Sequence, residues 1–141
     1  MSAIREVWPE RFPLFVRISS TDWLEGAWDL EQSIELARAL KPLGVDLIDC
    51  SSGGNVQGVK IPAGPGYQIP FAEAIRKGAG IPTGTVGFIT DPAQAESIIA
   101  SRQADIVLLA RANLRNPYWP QQAAKELGIE VKAPPQYIRA W

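Results

Sequence analysis

The 141-residue sequence predicts an α/β fold built on parallel strands, and three observations carry that prediction. Short apolar runs alternate with helix-patterned stretches four times over, the order expected of repeated β–α units. The runs are nearly continuous in apolar residues rather than alternating, as strands are when a parallel sheet is covered on both faces. Their centres, near Phe15, Leu47, Val86 and Val107, lie 32, 39 and 21 residues apart, which suits β–α repeats joined by loops of unequal length. An open doubly wound sheet and part of a closed barrel share this pattern, and the pattern alone leaves both open.

The elements follow in order. Ile4 to Trp8 reads as the last turns of a helix with no strand before it, the start expected of a chain cut from something longer. Pro13 to Ile18 is the first strand. Asp29 is a helix N-cap with Gln32 three residues on, the spacing of a capping box, and Leu30, Ile34, Ala37 and Leu40 follow at helical intervals until Gly44. Val45 to Cys50 is the second strand, opening into Ser51-Ser52-Gly53-Gly54. Pro70 starts a short helix through Arg76, with Gly78 and Gly80 as its stop. Thr83 to Phe88 is the third strand, and Asp91-Pro92 opens the next helix. Asp105 to Leu109 is the fourth strand, Asn116-Pro117 starts the last helix, and Gly128 stops it. The whole chain, 1–141, is expected to be one domain, with 129–141 as an extended tail.

Composition narrows the chemistry. Apolar residues make up 46% and charged residues 21%, enough to fill a core. Fourteen basic and fifteen acidic side chains leave a net charge of −1, which offers no excess for a nucleic-acid backbone or an anionic membrane. One cysteine excludes an internal disulfide framework. The sequence has no histidine, which removes His-ligated metal sites, Ser-His triads and imidazole acid/base chemistry from this chain. The start lacks the apolar core of a signal peptide, and no apolar run approaches the ~20 residues of a membrane span, so a cytoplasmic location is expected.

Polar and glycine residues gather where each strand gives way to its loop: Arg17 and Ser19, Asp49 to Gly54, Gly84 and Gly87, and Arg111. Parallel α/β folds bind ligands at that edge. Gly87 and Arg111 suggest an anion site made of backbone amides, a helix start and a guanidinium; a tight turn beside a solvated arginine is the alternative. Arg17 closes an apolar run. It either faces a barrel mouth, where it needs an anionic ligand or carboxylate, or makes an ion pair with Asp22 or Asp49.

Taken together, PLFVRISSTDW, GVDLIDCSSGG, PGYQIPFAEAIRK, IPTGTVGFITDP, ADIVLLARANLRNP and QYIRAW resemble the Old Yellow Enzyme family. In particular they resemble its bacterial, thermophilic-type branch of FMN-dependent NAD(P)H oxidoreductases and ene-reductases, over nearly the whole chain from Ile4 to Trp141. The resemblance implies a (β/α) TIM-barrel fold, with these segments as strands five to eight, a C-terminal half-barrel. It implies FMN as cofactor and NAD(P)H as hydride donor in the complete enzyme. Arg17 would lie by the N1/C2-carbonyl edge of FMN, a fixed positive charge that tunes its potential. Val86 and Gly87 would offer amides to the FMN phosphate, joined by the amide and guanidinium of Arg111. Ala110 stands where the family usually has glycine, which puts a methyl beside the phosphate and leaves the amide donor intact. Arg139 matches an arginine that this branch extends into a neighbouring subunit's active site, while Tyr137 and Trp141 are expected to pack the tail. Cys50 falls on the sixth strand and is expected to be a buried structural thiol. The family's substrate-binding His pair and proton-donating tyrosine would lie outside this half, so no catalytic residue is assigned in this chain.

Three functions compete: the FMN-binding half of an ene-reductase acting on activated alkenes, a non-catalytic half-barrel that binds phosphate or FMN weakly and self-associates, and another phosphate-binding barrel of the dihydroorotate-dehydrogenase kind. The motif string disfavours the third. A four-stranded parallel half-barrel leaves two strand edges and an apolar face uncovered. The partner is therefore expected to be a second copy, as a homo-oligomer, or a complementary N-terminal half-barrel.

Overall fold

The apolar runs pair as parallel strands in chain order. A computed structural model describes residues 1–140, and in it β1 (Phe15–Ser19), β2 (Leu47–Ser51), β3 (Thr83–Val86) and β4 (Ile106–Leu108) form one sheet of order β1-β2-β3-β4. Arg17 stands opposite Asp49, Asp49 opposite Gly84, and Val86 opposite Leu108. Doubly wound sheets reverse their strand order at a switch point. This one does not. Right-handed crossovers between strands in unbroken order put the connecting helices on one face, the arrangement of a β/α barrel wall.

That helical layer contains α2 (Leu30–Leu40), α3 (Ile69–Ala79) and α4 (Pro92–Ala100), after a short α1 (Ser2–Val7). The Asp29–Gln32 capping box forms in both directions, and Gly44 ends the α2 region at φ +83° after one 3-10 turn. Asp91 accepts from the Gln94 amide at the start of α4. The core lies between this layer and one sheet face, where Ile48 and Cys50 meet Ala37, Ala72, Ile75 and Ile98. Fully burying one such isoleucine contributes about 1.5–3 kcal/mol.

Gly78 differs from expectation. It lies inside α3, which runs on to Ala79 and is capped by Gly80 in the left-handed region. A Cβ at Gly78 would come within 2.8 Å of Ile34 Cγ2, so this glycine lets α3 and α2 approach rather than stopping the helix. The strands are shorter or shifted against the predicted runs because Pro13 and Val45 fall outside the paired ladder and Gly87-Phe88 turns away from it. Nor are both faces of every strand covered. Val16 and Ile18 face the core, but Phe15 on the opposite face is 54% exposed.

Below the sheet, Arg5 of α1 forms a latch. Its guanidinium donates to the carbonyls of Gly44 and Phe12 and to Asp46 Oδ2 (2.8 Å), while Asp46 also accepts from the Leu14 amide at 2.7 Å. At the other end of the chain, α5 (Arg111–Arg115) precedes α6 (Trp119–Glu126), and a 3-10 turn covers Pro135–Ala140. Tyr137 is 63% exposed, so it does not pack the tail onto this chain; Trp141 lies outside the described residues.

Candidate functional site

The C-terminal ends of β3 and β4 are adjacent, so whatever follows each strand must meet there. Val86, Gly87, Phe88, Leu108, Ala110, Arg111 and Arg115 line one cleft of about 180 Å³. Four of the residues singled out from the sequence, Val86, Gly87, Ala110 and Arg111, are thus brought together.

The β3 side is shaped by its backbone. Gly87 sits at φ +123° and Phe88 at φ +51°. The first value suits glycine, and a Cβ there would fall 2.7 Å from Tyr67 Cε1 and 2.9 Å from Gln68 Nε2. The carbonyls of this turn are already engaged. Buried Gln68 donates to the Val86 carbonyl at 2.6 Å, and its own Oε1 accepts from Ser52 Oγ at 2.7 Å. The Gly66 amide donates to the Gly87 carbonyl at 2.9 Å. With its carbonyls held, the turn leaves the Gly87 amide without a backbone acceptor among the described residues.

The β4 side supplies a helix start. Ala110 is the N-cap of α5 and gives no side-chain hydrogen bond, so the first amides of α5, Arg111 included, lack an internal cap. Sequence reasoning placed Arg111 in a loop before a helix at Asn116; it is instead the first residue of a helix that spacing did not reveal. Its guanidinium carbon lies 4.6 Å from the centre of the Phe88 ring. Neither Arg111 nor Arg115 forms an ion pair among the described residues. Backbone donors and two unneutralised cations converge on one small cleft, a setting that favours an anion of phosphate type.

Arg17 stands two strands away, beyond β2. Its Nε donates to Asp49 Oδ2, the ion pair that was one of the alternatives for it. Asp49 is only 6% exposed and its Oδ1 is buried without a partner among the described residues, whereas the Arg17 side chain is 57% exposed. The pair fixes the guanidinium by Nε and leaves its two terminal nitrogens free to donate. Arg139 lies on the exposed tail and joins neither cluster. Cys50 is buried, and burial with the neighbouring Asp49 charge pushes its thiol up to about 12, as befits a structural residue.

Two lining residues escaped sequence reasoning. Arg115 was visible in principle, four residues after Arg111, but that spacing means one helix face only once α5 is known. Phe88 had no signal, because a left-handed backbone is anticipated at glycine and not at phenylalanine. A wider groove of about 1240 Å³ between α6 and the tail includes none of the strand-end residues.

Known proteins agree with this architecture. Residues 2–130 match the family model for the NADH:flavin oxidoreductase / NADH oxidase family. The chain is 52% identical over 141 residues to an NADPH dehydrogenase of Halalkalibacterium halodurans and 50% identical to one of Geobacillus thermodenitrificans. All of this chain aligns in both, but it spans 41% of the length of each relative. A solved structure of 2-naphthoyl-CoA reductase with 2-naphthoyl-CoA superposes at a TM-score of 0.78 with 26% identity, covering 89% of this chain and 20% of that one. A mandelate racemase/muconate lactonizing family protein from Azoarcus sp. EbN1, 19% identical, superposes at 0.54 and speaks to the fold alone.

Proposed function

Because the chain belongs to the NADH:flavin oxidoreductase / NADH oxidase family, we propose that it forms the phosphate-binding part, strands five to eight, of an FMN-dependent barrel reductase. One observation carries the reading: the Gly87 amide, the uncapped start of α5 and the unpaired Arg111 guanidinium share a cleft of phosphate size. These residues fit a phosphomonoester, which needs several donors and a charge that no carboxylate has already neutralised. FMN bound there would supply the chemistry of hydride transfer between NAD(P)H and a second substrate, which we take to be an activated alkene.

The chain's own residues divide the work. Val86, Gly87 and Ala110 present backbone to the phosphate, and Arg111 adds charge. Arg17, fixed by Asp49, sets a positive charge at the ring end of the site. The sheet face opposite the helices, with half-exposed Phe15 and Arg17, is the face a barrel encloses, so a second copy or a complementary half-barrel covers it. Arg139 on the tail is available to reach into a neighbouring subunit. No helix among the described residues is long and apolar enough to cross a membrane.

The testing experiment is a titration of the purified chain with FMN and with riboflavin, which lacks the phosphate. FMN should bind distinctly more tightly. Equal affinities remove the reading. An absorbance spectrum and light scattering on the same sample separate a flavin-bearing assembly from a colourless self-associating half-barrel.

A further inference from the structure

We infer that Phe88 is a positioning residue for Arg111: an aromatic shelf, held in a strained backbone, that aims the guanidinium into the cleft without neutralising it. This rests on the phosphate reading above and adds the determinant of its selectivity.

Phe88 carries three observations that packing alone leaves without a reason. It adopts φ +51°, a conformation costly for a bulky side chain and one that persists only where the surroundings over-determine it. Despite that cost its ring is not buried; Phe88 is 45% exposed. What the ring does touch is specific. Its face lies 4.6 Å from the Arg111 guanidinium carbon, and the Tyr67 ring meets it edge-on at 6.3 Å between centres. Tyr67 in turn stacks with Trp23, and it takes the space that a Cβ at Gly87 would fill. The strained turn is pinned from behind by Gln68 on the Val86 carbonyl and Gly66 on the Gly87 carbonyl.

The alternative way to hold an exposed arginine is a carboxylate, as Asp49 holds Arg17. A carboxylate would compete with an incoming phosphate. A ring face orients the guanidinium through its quadrupole and leaves the full positive charge, and the N–H edge in the ring plane, for the anion.

The test compares Phe88→Leu, which removes the ring, Phe88→Tyr, which keeps it, and Phe88→Gly, which removes it while relieving the positive φ. The reading is the ratio of riboflavin to FMN dissociation constants, with the thermal midpoint measured alongside. Phe88→Leu and Phe88→Gly should each lower the ratio about two- to fivefold, the range of an exposed cation–π contact, and Phe88→Tyr should keep it. Loss of FMN discrimination in Phe88→Gly at an unreduced thermal midpoint carries the inference even if Phe88→Leu fails to fold. A wild-type ratio well above one that persists in Phe88→Gly overturns it, as does equal weakening of both ligands. A wild-type ratio of one overturns the phosphate reading itself.

Discussion

Two arginines flank this sheet, one within β1 and one at the start of α5, and they are held in opposite ways. Arg17, on the β1–β2 side, is tied through Nε to a buried carboxylate. Arg111, beyond β4, has no acidic partner among the described residues and rests on an aromatic ring. The first arrangement fixes the guanidinium in place and leaves its two terminal nitrogens to donate to a partner. The second keeps the charge for a ligand that brings its own. In the proposed function the first arginine serves a flavin ring and the second a phosphate, and the neighbour of each decides which.

The comparison breaks most visibly at Gly87. Gly87→Ala places a Cβ against Tyr67 at φ +123°, and we expect a loss of about 3 kcal/mol with collapse of FMN discrimination. Gly84→Ala, where the backbone is not left-handed and the clash is with the side chains of Leu108 and Ile106, should cost less in the same denaturation experiment. Next comes Arg111→Ala. FMN affinity should fall about 10- to 100-fold with riboflavin unchanged, the range of a lost charge-assisted hydrogen bond; a matching fall for riboflavin would put Arg111 outside the phosphate site.

Gln68→Leu tests the support behind the β3 turn. It strips the part-buried Val86 carbonyl of its donor and buried Ser52 of its acceptor, so urea melts should show about 1–3 kcal/mol of destabilisation. Asp49→Asn sharpens the other edge. With Arg17 released, FMN and riboflavin should weaken by the same few-fold factor, and a phosphate-selective effect would contradict the division of roles.

The smallest effect lies away from both sites. Burial pushes the Asp105 carboxyl up, but hydrogen bonds from Arg76 and the Thr83 amide, with the Arg76 charge, outweigh it and hold the group below the usual carboxylate range. A carboxyl lowered in the folded state contributes stability above its unfolded pKa and loses it as pH falls through the folded value. Stability should therefore decline below about pH 4. Asp105→Asn should flatten that acid limb; an unchanged limb would mean the Arg76 contact is idle in solution.

Much of this was legible in the residues. The capping box at Asp29 and Gln32, the four strand positions and the placing of Gly87 and Arg111 at neighbouring strand ends each rest on short-range rules that spacing exposes, whereas Val86 and Ala110 enter only through the family resemblance. The family likeness of the motif string agrees with the 2–130 family match. What escaped depends on contacts between distant segments. Gly78 reads as a helix stop until Ile34 is seen packed on it, and α5 is too short to show a period. The left-handed turn at Phe88 is held by Gln68, Gly66 and the Tyr67 ring, which come from another part of the chain. The Arg17–Asp49 pair was one of two named options, and only the register between β1 and β2 chose it.

The unbroken strand order also sets a timetable. Each strand pairs only with its sequence neighbour, so every sheet contact closes a single β–α unit and the ladder can extend in the order in which its strands are made. Asp49 meets Arg17 as soon as β2 is made, while Gly87 and Phe88 wait for β4 and α5 to complete their cleft. The Arg17–Asp49 pair thus needs one β–α unit to form, whereas the cleft at Gly87 and Arg111 needs the two strands that follow.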